Sequence, residues 1–245
     1  GKIKVADYNS SNNPSFHQVH RALFPESRNI FSEFQAPIDK HFVLDSRKRY
    51  GGAFQNKTDL SWILQIYGSS PKFVLEVGTF VGTSAVELGR ILQQREGVLL
   101  CIDPFTGSGE MWFLPVLRSR CSFNAGQPRI FELWMNKIIK SNLTSTVLPW
   151  RVTSLVAADF LHYLPWKIDF VFLDSAHSVG ETFVEIAAYW SVLPVGSFIF
   201  GDDYNSFPGV KHDVDMFSNT TNSELLLSPS GRIWALQKTT STLSI

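Results

Sequence analysis

IDFVFLDSAHSVGETFVEIAAYWSVLPVGSFIFGDDY, residues 168–204, reads as a strand, a helix and a second strand, with acid at the end of each strand. Residues 168–174 and 197–203 are short apolar runs bounded by turn residues, the length and flanks of strands buried on both faces. Between them Phe183, Ile186, Ala187 and Trp190 recur at helical spacing on one face. Ser178 and Glu181 have the spacing of a capping box, and Leu193-Pro194-Val195-Gly196 ends the helix. Two buried strands joined through a crossover helix form a parallel pair. Asp174 and His177 therefore fall in the turn from strand to helix, while Asp202 and Asp203 close the next strand.

The same alternation extends outward in both directions, and repeated strand and helix patterns specify an α/β fold with a parallel sheet. Residues 59–68 read as a helix, 72–78 as the first strand, a helix starts near Gly82, and 97–103 form a second strand. A long loop over 104–125 leads to a helix at about 128–140, a third strand in 145–152 and a short helix at 155–163. The quoted unit supplies strands four and five, followed by a helix near 208–218 and closing strands at 223–228 and 231–238. Residues 1–57 divide off as an N-terminal arm and cap segment, and 58–245 as the main domain. Within the former, 1–15 are too polar to pack and read as a flexible arm, 16–54 show no clean period, and Arg47-Lys48-Arg49 reads as a solvated run.

With 245 residues, 44% of them apolar, the chain is long enough for one large core. Twenty-two basic residues offset twenty-two acidic ones, so no strong field gathers nucleic acid or an anionic membrane, and a small uncharged partner suits the chain better. No apolar run approaches the roughly 20 residues of a membrane span. Because the chain starts on Gly1, a removed leader or anchor stays open. Cys101 and Cys121 make neither a disulfide framework nor zinc spacing, and Cys101 within VLLCID reads as a buried small hydrophobe. Sequons at Asn9, Asn56, Asn142 and Asn219 leave a secretory or lumenal location open beside the cytoplasmic default. Oligomeric state is also left open.

Open α/β sheets bind ligands outside the carboxyl ends of their strands, and every acid singled out lies on that edge. Glu76-Val77-Gly78-Thr79-Phe80-Val81-Gly82 closes strand one with glycines four apart, which admits close backbone approach but lacks the G-x-G-x-x-G spacing of dinucleotide sites. Asp103 ends strand two 25 residues after Gly78, where a carboxylate can accept ribose hydroxyls. A turn residue ahead of Pro104 is the plain alternative.

VLEVGTFVGTSAVELG, CIDPF, and the FVFLDSAH and FGDDY segments together resemble class I S-adenosylmethionine-dependent methyltransferases over roughly residues 58–238. Among these the chain is most similar to the divalent-metal-dependent O-methyltransferases, of the catechol and caffeoyl-coenzyme A type and the macrolide-sugar type. The resemblance implies a Rossmann-like, mostly parallel seven-stranded sheet in the order 3-2-1-4-5-7-6, its last strand antiparallel and helices on both faces. It implies a cofactor set of Glu76, Gly78, Thr79, Gly82, Ser84, Asp103, Ser154 and Asp174, with the first residues along the methionine part, Asp103 on the ribose and the Thr153-Ser154 region near the adenine. It also implies a metal site at Asp174, Asp202 and Asp203.

Neighbouring strands lie about 4.8 Å apart, so adjacent fourth and fifth strands bring these three carboxylates together, and they repel unless a cation joins them. Oxygen ligands favour a hard ion such as Mg²⁺. Helix caps and turn formers are the bland reading of the same acids. Ionising a phenol near pKa 10 at neutral pH costs roughly 4 kcal/mol, and an alcohol near 15.7 roughly 12 kcal/mol. A metal and a base offset such costs, and His177, near 6.5 when unperturbed, is the candidate base; a histidine bonded to backbone at a helix start is the alternative. The catechol type usually has lysine where His177 stands and asparagine where Asp203 stands, so the chain looks closer to the sugar-modifying type.

The remaining candidates are weaker. The 105–113 loop, with Met111, Trp112 and Phe113, has the composition of a substrate wall or lid, or of core. Trp134, Trp150, Trp166 and Trp190 are assigned to the core, and His162 and His212 have no partner legible in sequence. The expected function is metal- and His-assisted methyl transfer from S-adenosylmethionine to a hydroxyl of a small molecule or sugar. The alternatives are a non-catalytic S-adenosylmethionine-binding protein and a nicotinamide dehydrogenase.

Overall fold

The computed structural model describes residues 12–34, 54, 57–68, 70–175 and 177–239. Two short helices come first, α1 (Phe16–Leu23) and α2 (Ile30–Glu33), then α3 (Lys57–Tyr67) and β1 (Phe73–Val77). They are followed by α4 (Thr83–Gln93), β2 (Val98–Ile102), α5 (Gly109–Phe113), α6 (Pro115–Arg120), α7 (Ile130–Lys140) and β3 (Val147–Trp150). The chain continues through α8 (Ser154–Leu161), β4 (Phe170–Leu173), α9 (Glu181–Val192), β5 (Phe198–Gly201), α10 (Pro208–Thr221), β6 (Leu225–Leu227) and β7 (Trp234–Gln237).

The seven strands form one sheet in the order β3-β2-β1-β4-β5-β7-β6, as expected. The first five pair in parallel, while β7 runs antiparallel to both β5 and β6. Because β1 pairs with β2 on one side and β4 on the other, strand order reverses between β1 and β4, and a crevice opens at their carboxyl ends. β1, β2, β4 and β5 are buried along their whole length, which is why they read as unbroken apolar runs and not as alternating ones.

Trp134, Trp190 and Trp234 are fully buried around this sheet, while Trp150 and Trp166 pack against the core half-buried. Val19 and Phe31, from the stretch without a clean period, join the same core. At the opposite edge from the crevice, the Asp169 carboxylate accepts from Lys72 N (2.7 Å), Phe73 N (2.9 Å), Tyr67 Oη (2.8 Å) and Asn13 Nδ2 (3.0 Å). Asn13 also donates to Lys167 O at 2.7 Å, so the end of the expected flexible arm is tied to the base of β4. Residues 1–11, the 47–49 basic run and the sequons at Asn9 and Asn56 lie outside the described residues.

Two local expectations are corrected. The 104–125 stretch is not all loop but carries α5 and α6. Ser178 is not the N-cap of α9. Glu181 does accept from Ser178 N at 3.1 Å, but the cap position is Gly180, at φ 92°, and the capping carboxylate comes from Asp213 of α10. Asp213 accepts from Gly180 N at 2.8 Å and Phe183 N at 3.1 Å, satisfying N–H groups that a helix start leaves open. This pins the start of α9, and with it the turn carrying His177, against α10. At Gly209 a Cβ would sit 2.2 Å from the His177 carbonyl oxygen, so only glycine allows that approach.

Candidate functional site

The glycine loop after β1 is organised by a single carboxylate. Asp103 Oδ2 accepts from Thr79 N and Phe80 N, both at 3.0 Å, and Oδ1 accepts from Phe105 N at 2.6 Å. Phe80 and Phe105 stand at φ 46° and 58°, strained values for bulky residues, and both are held there by bonds to Asp103. Burial raises the Asp103 carboxyl above its usual range, and the three N–H bonds offset only part of that. Three of roughly four acceptor positions are filled, leaving room for about one ligand hydroxyl. Gly78, at φ 79°, lets the loop touch the end of β4, since a Cβ there would lie 2.2 Å from Asp174 O.

Glu76 lies beneath the loop, fully buried. Burial raises its carboxyl above the ordinary range, opposed by the hydroxyls of Ser84 and Thr79 and the thiol of Cys101, which donates to Oε2 at 3.1 Å. Thr79 Oγ1 also accepts from Trp134 Nε1 at 2.9 Å. Gly82 is the N-cap of α4.

The strand-end acids meet as the register requires, because Leu173 pairs with Gly201, but they do not share one environment. Arg232, from the turn between β6 and β7, grips Asp202 with Nε to Oδ1 at 2.6 Å and Nη2 to Oδ2 at 2.7 Å. The same Nη2 lies 2.7 Å from Asp203 Oδ1. Burial pushes the Asp202 carboxyl up to about 6 against the pull of Arg232. Asp174 makes no side-chain hydrogen bond to any described residue. Burial, then the charges of Asp202, Asp203 and Glu76, hold its carboxyl well above the usual range.

His177 stacks on Phe207, with ring centroids 4.0 Å apart and 6° between planes. Its Nε2 lies 3.2 Å from Asp203 Oδ2 and its Nδ1 3.4 Å from Glu110 Oε1. Both contacts are within ion-pair range, but neither is aligned as a hydrogen bond. Burial alone would lower the His177 pKa, and the two carboxylates outweigh it and hold it above 6.5. Atoms of Asp174, His177 and Asp203 lie within 4.8 Å of one another, a donor set able to hold a metal ion.

Two cavities adjoin at this point. One, of about 200 Å³, runs from Asp103, Pro104, Thr153 and Ser154 past Gly78 to Asp174, with Glu185 in its wall. The other, of about 310 Å³, is bounded by Thr79, Ser84, Glu110, His177, Asp203 and Arg232. They share Phe80, Ser108, Met111, Asp174 and Ser175.

A family described as methyltransferase domain matches residues 75–204, from the middle of β1 through the acids after β5. The chain belongs to that family. No curated protein matches this methyltransferase, but solved structures share its fold. An O-methyltransferase from Bacillus cereus, solved in complex with SAH, is 16% identical at TM-score 0.53, covering 78% of this chain and 84% of its own. TomG, an O-methyltransferase from Streptomyces achromogenes involved in tomaymycin synthesis and solved with SAM, is 17% identical at TM-score 0.51, covering 75% and 79%. CalS11, a TDP-rhamnose 3'-O-methyltransferase of calicheamicin biosynthesis, is 14% identical at TM-score 0.51, covering 73% and 77%.

Gly78, Asp103, Ser154 and Asp174 line the first cavity of the methyltransferase, and Thr79, Ser84, Asp174, His177 and Asp203 the second; Glu76 and Gly82 support the loop from behind. Asp202 lines a smaller cavity with Asp174, His177 and Asp203, its carboxylate engaged by Arg232. Met111 lines both cavities, whereas Trp112 packs edge-on against Phe123 and Phe113 is exposed. His162 and His212, unassigned in sequence, contact Ser191 Oγ at 2.8 Å and Asp213 Oδ1 at 3.0 Å. Sequence reasoning missed Arg232, Glu110, Glu185 and Phe207. For Arg232 the pairing emerges only in the folded sheet, where the register Gly201↔Trp234, carried two residues past β5, sets Asp203 opposite Arg232.

Proposed function

We propose that this methyltransferase moves a methyl group from S-adenosylmethionine to a hydroxyl oxygen of a small molecule or sugar. The observation that carries the reading is the pair of adjoining cavities that share Asp174, with Asp103 and Ser154 lining one and His177 and Asp203 the other. The first end suits a nucleoside, with Asp103 accepting from one ribose hydroxyl and the Thr153-Ser154 turn bordering the base. Glu76, Thr79, Gly82 and Ser84 shape the loop along the methionine part. The SAM- and SAH-bound neighbours and the sugar nucleotide named for CalS11 agree with this direction.

A divalent cation fits the second end, because Asp174 has oxygens unclaimed by any described side chain and lies beside Asp203 and His177. Asp174 and Asp203 would hold it, with Asp202 behind them; such an ion supplies Lewis-acid charge that lowers the cost of ionising a hydroxyl. Asp203 Oδ2, 3.2 Å from Nε2, attracts the His177 ring by charge, leaving Nδ1 on the Glu110 side as the atom that receives the acceptor's proton. Phe207 fixes the plane of the ring. Met111 and Phe80, shared by both cavities, exclude water from the junction, where the acceptor oxygen must line up with the methyl.

Incubation with methyl-labelled cofactor, Mg²⁺ and a panel of catechols, sugars and glycans tests the proposal. Label in a hydroxyl of a panel member supports it. Cofactor binding with no transfer to any of them favours the non-catalytic alternative, and full transfer in excess chelator removes the metal.

A further inference from the structure

Arg232 has a second consequence for the cation site. Asp202 and Asp203 are 3% and 6% exposed, and burying such a pair requires a counter-charge. The guanidinium supplies it, forking onto both oxygens of Asp202 and reaching Asp203 Oδ1 with the same Nη2. The backbone of the turn is anchored beside the acids, because the Arg232 carbonyl accepts from Tyr204 N at 3.0 Å and Arg232 N donates to Ser230 Oγ at 3.1 Å. The side chain is less confined: it is 31% exposed and borders the larger cavity, and among the described residues its far side has only a 3.4 Å contact from Nη1 to Ser206 Oγ.

Asp203 Oδ1 faces the guanidinium, and Oδ2 faces His177. An ion bridging Asp174 and Asp203 would approach an oxygen that already faces Arg232 or His177, and it brings two positive charges up against a third. Like charges a few ångströms apart in a poorly solvated crevice repel strongly.

Resting on the metal-assisted reading above, we propose that Arg232 is a tethered cation that competes with the divalent ion for Asp203, so that the ion binds only as Arg232 withdraws from that carboxylate. Arg232 thereby holds the acids together without metal and keeps metal affinity low. The opposite role, in which Arg232 props the acids as ligands, would make its loss weaken binding, so the sign of one substitution separates the two.

The test is Mn²⁺ binding to the full chain, followed by electron paramagnetic resonance and calorimetry, for wild type, Arg232→Gln and Arg232→Lys. Arg232→Gln should bind Mn²⁺ at least about tenfold more tightly than wild type. Arg232→Lys, which keeps the charge but loses the fork, should stay within about threefold. Equal or weaker binding by Arg232→Gln overturns the competition while leaving the metal reading intact, and no binding by any of the three proteins overturns both. Should Arg232→Gln not fold, a crystal structure of the wild type with Mn²⁺ decides: the ion bound with Arg232 moved off Asp203 supports the proposal, and the ion bound with the 2.7 Å contact kept overturns it.

Discussion

Replacing Asp103 with Asn changes one heavy atom and tests whether this carboxylate builds the cofactor loop. Oδ2 accepts from Thr79 N and Phe80 N, and Oδ1 from Phe105 N. An Asn carbonyl can take either the pair or the single N–H, but its amide then points a donor at the other. The better orientation keeps Thr79 and Phe80 and opposes Phe105 N, losing one charge-assisted bond and leaving a half-buried donor unmatched, at about 2–3 kcal/mol. Phe105, at φ 58°, loses the bond that holds its strained backbone. For a domain of this size the loss lowers the melting temperature by about 4–12 °C, and Asp103→Ala, which strands all three amides, lowers it further. Scanning calorimetry with urea unfolding measures the stability, and titration with S-adenosylhomocysteine measures the accompanying loss of affinity. A melting temperature for Asp103→Asn within about 1 °C of wild type would refute the reasoning.

Other consequences are equally direct. His177→Ala should lower turnover by about 10²–10⁴ with S-adenosylhomocysteine affinity unchanged; an unaltered rate across pH removes the base. Gly78→Ala places a Cβ 2.2 Å from Asp174 O, so it should abolish cofactor binding by calorimetry, and wild-type affinity would contradict the close approach. Asp213→Ala removes the cap of α9 from a fully buried position and should cost about 2–4 kcal/mol in urea unfolding; a cost under about 0.5 kcal/mol counts against it. Burial raises the Glu76 carboxyl above its unfolded value, so the wild type loses stability as pH rises from the unfolded pKa toward the folded one. The melting temperature of Glu76→Gln relative to wild type should therefore rise between pH 4.5 and pH 8, and a relative value that falls with pH would have the wrong sign.

Strand positions were legible because β1, β2, β4 and β5 are buried on both faces and so appear as uninterrupted apolar runs. The acids at their ends were legible for the same reason, since Asp103, Asp174 and Asp202 each interrupt such a run. What the chain does with those acids was harder to read. Asp213 caps a helix some thirty residues earlier, and Arg232 reaches Asp202 from a turn thirty residues later; local patterns do not encode such pairings. Asp169 and Asp174 flank the same strand and look alike in sequence, yet one is saturated with donors at the closed edge while the other, among the described residues, is left without a side-chain bond at the open one. The helices α5 and α6 escaped notice because neither start carries a side-chain cap and neither buries an apolar face.

The claim on which the rest depends is that the two adjoining cavities present a nucleoside at Asp103 and its sulfur to Asp174, His177 and Asp203. A crystal structure with S-adenosylhomocysteine tests it most directly. The account expects a ribose hydroxyl on Asp103, the base beside Ser154 and the sulfur at the junction of the two cavities near Asp174. A ligand bound elsewhere, or one whose sulfur points away from His177 and Asp203, would contradict it.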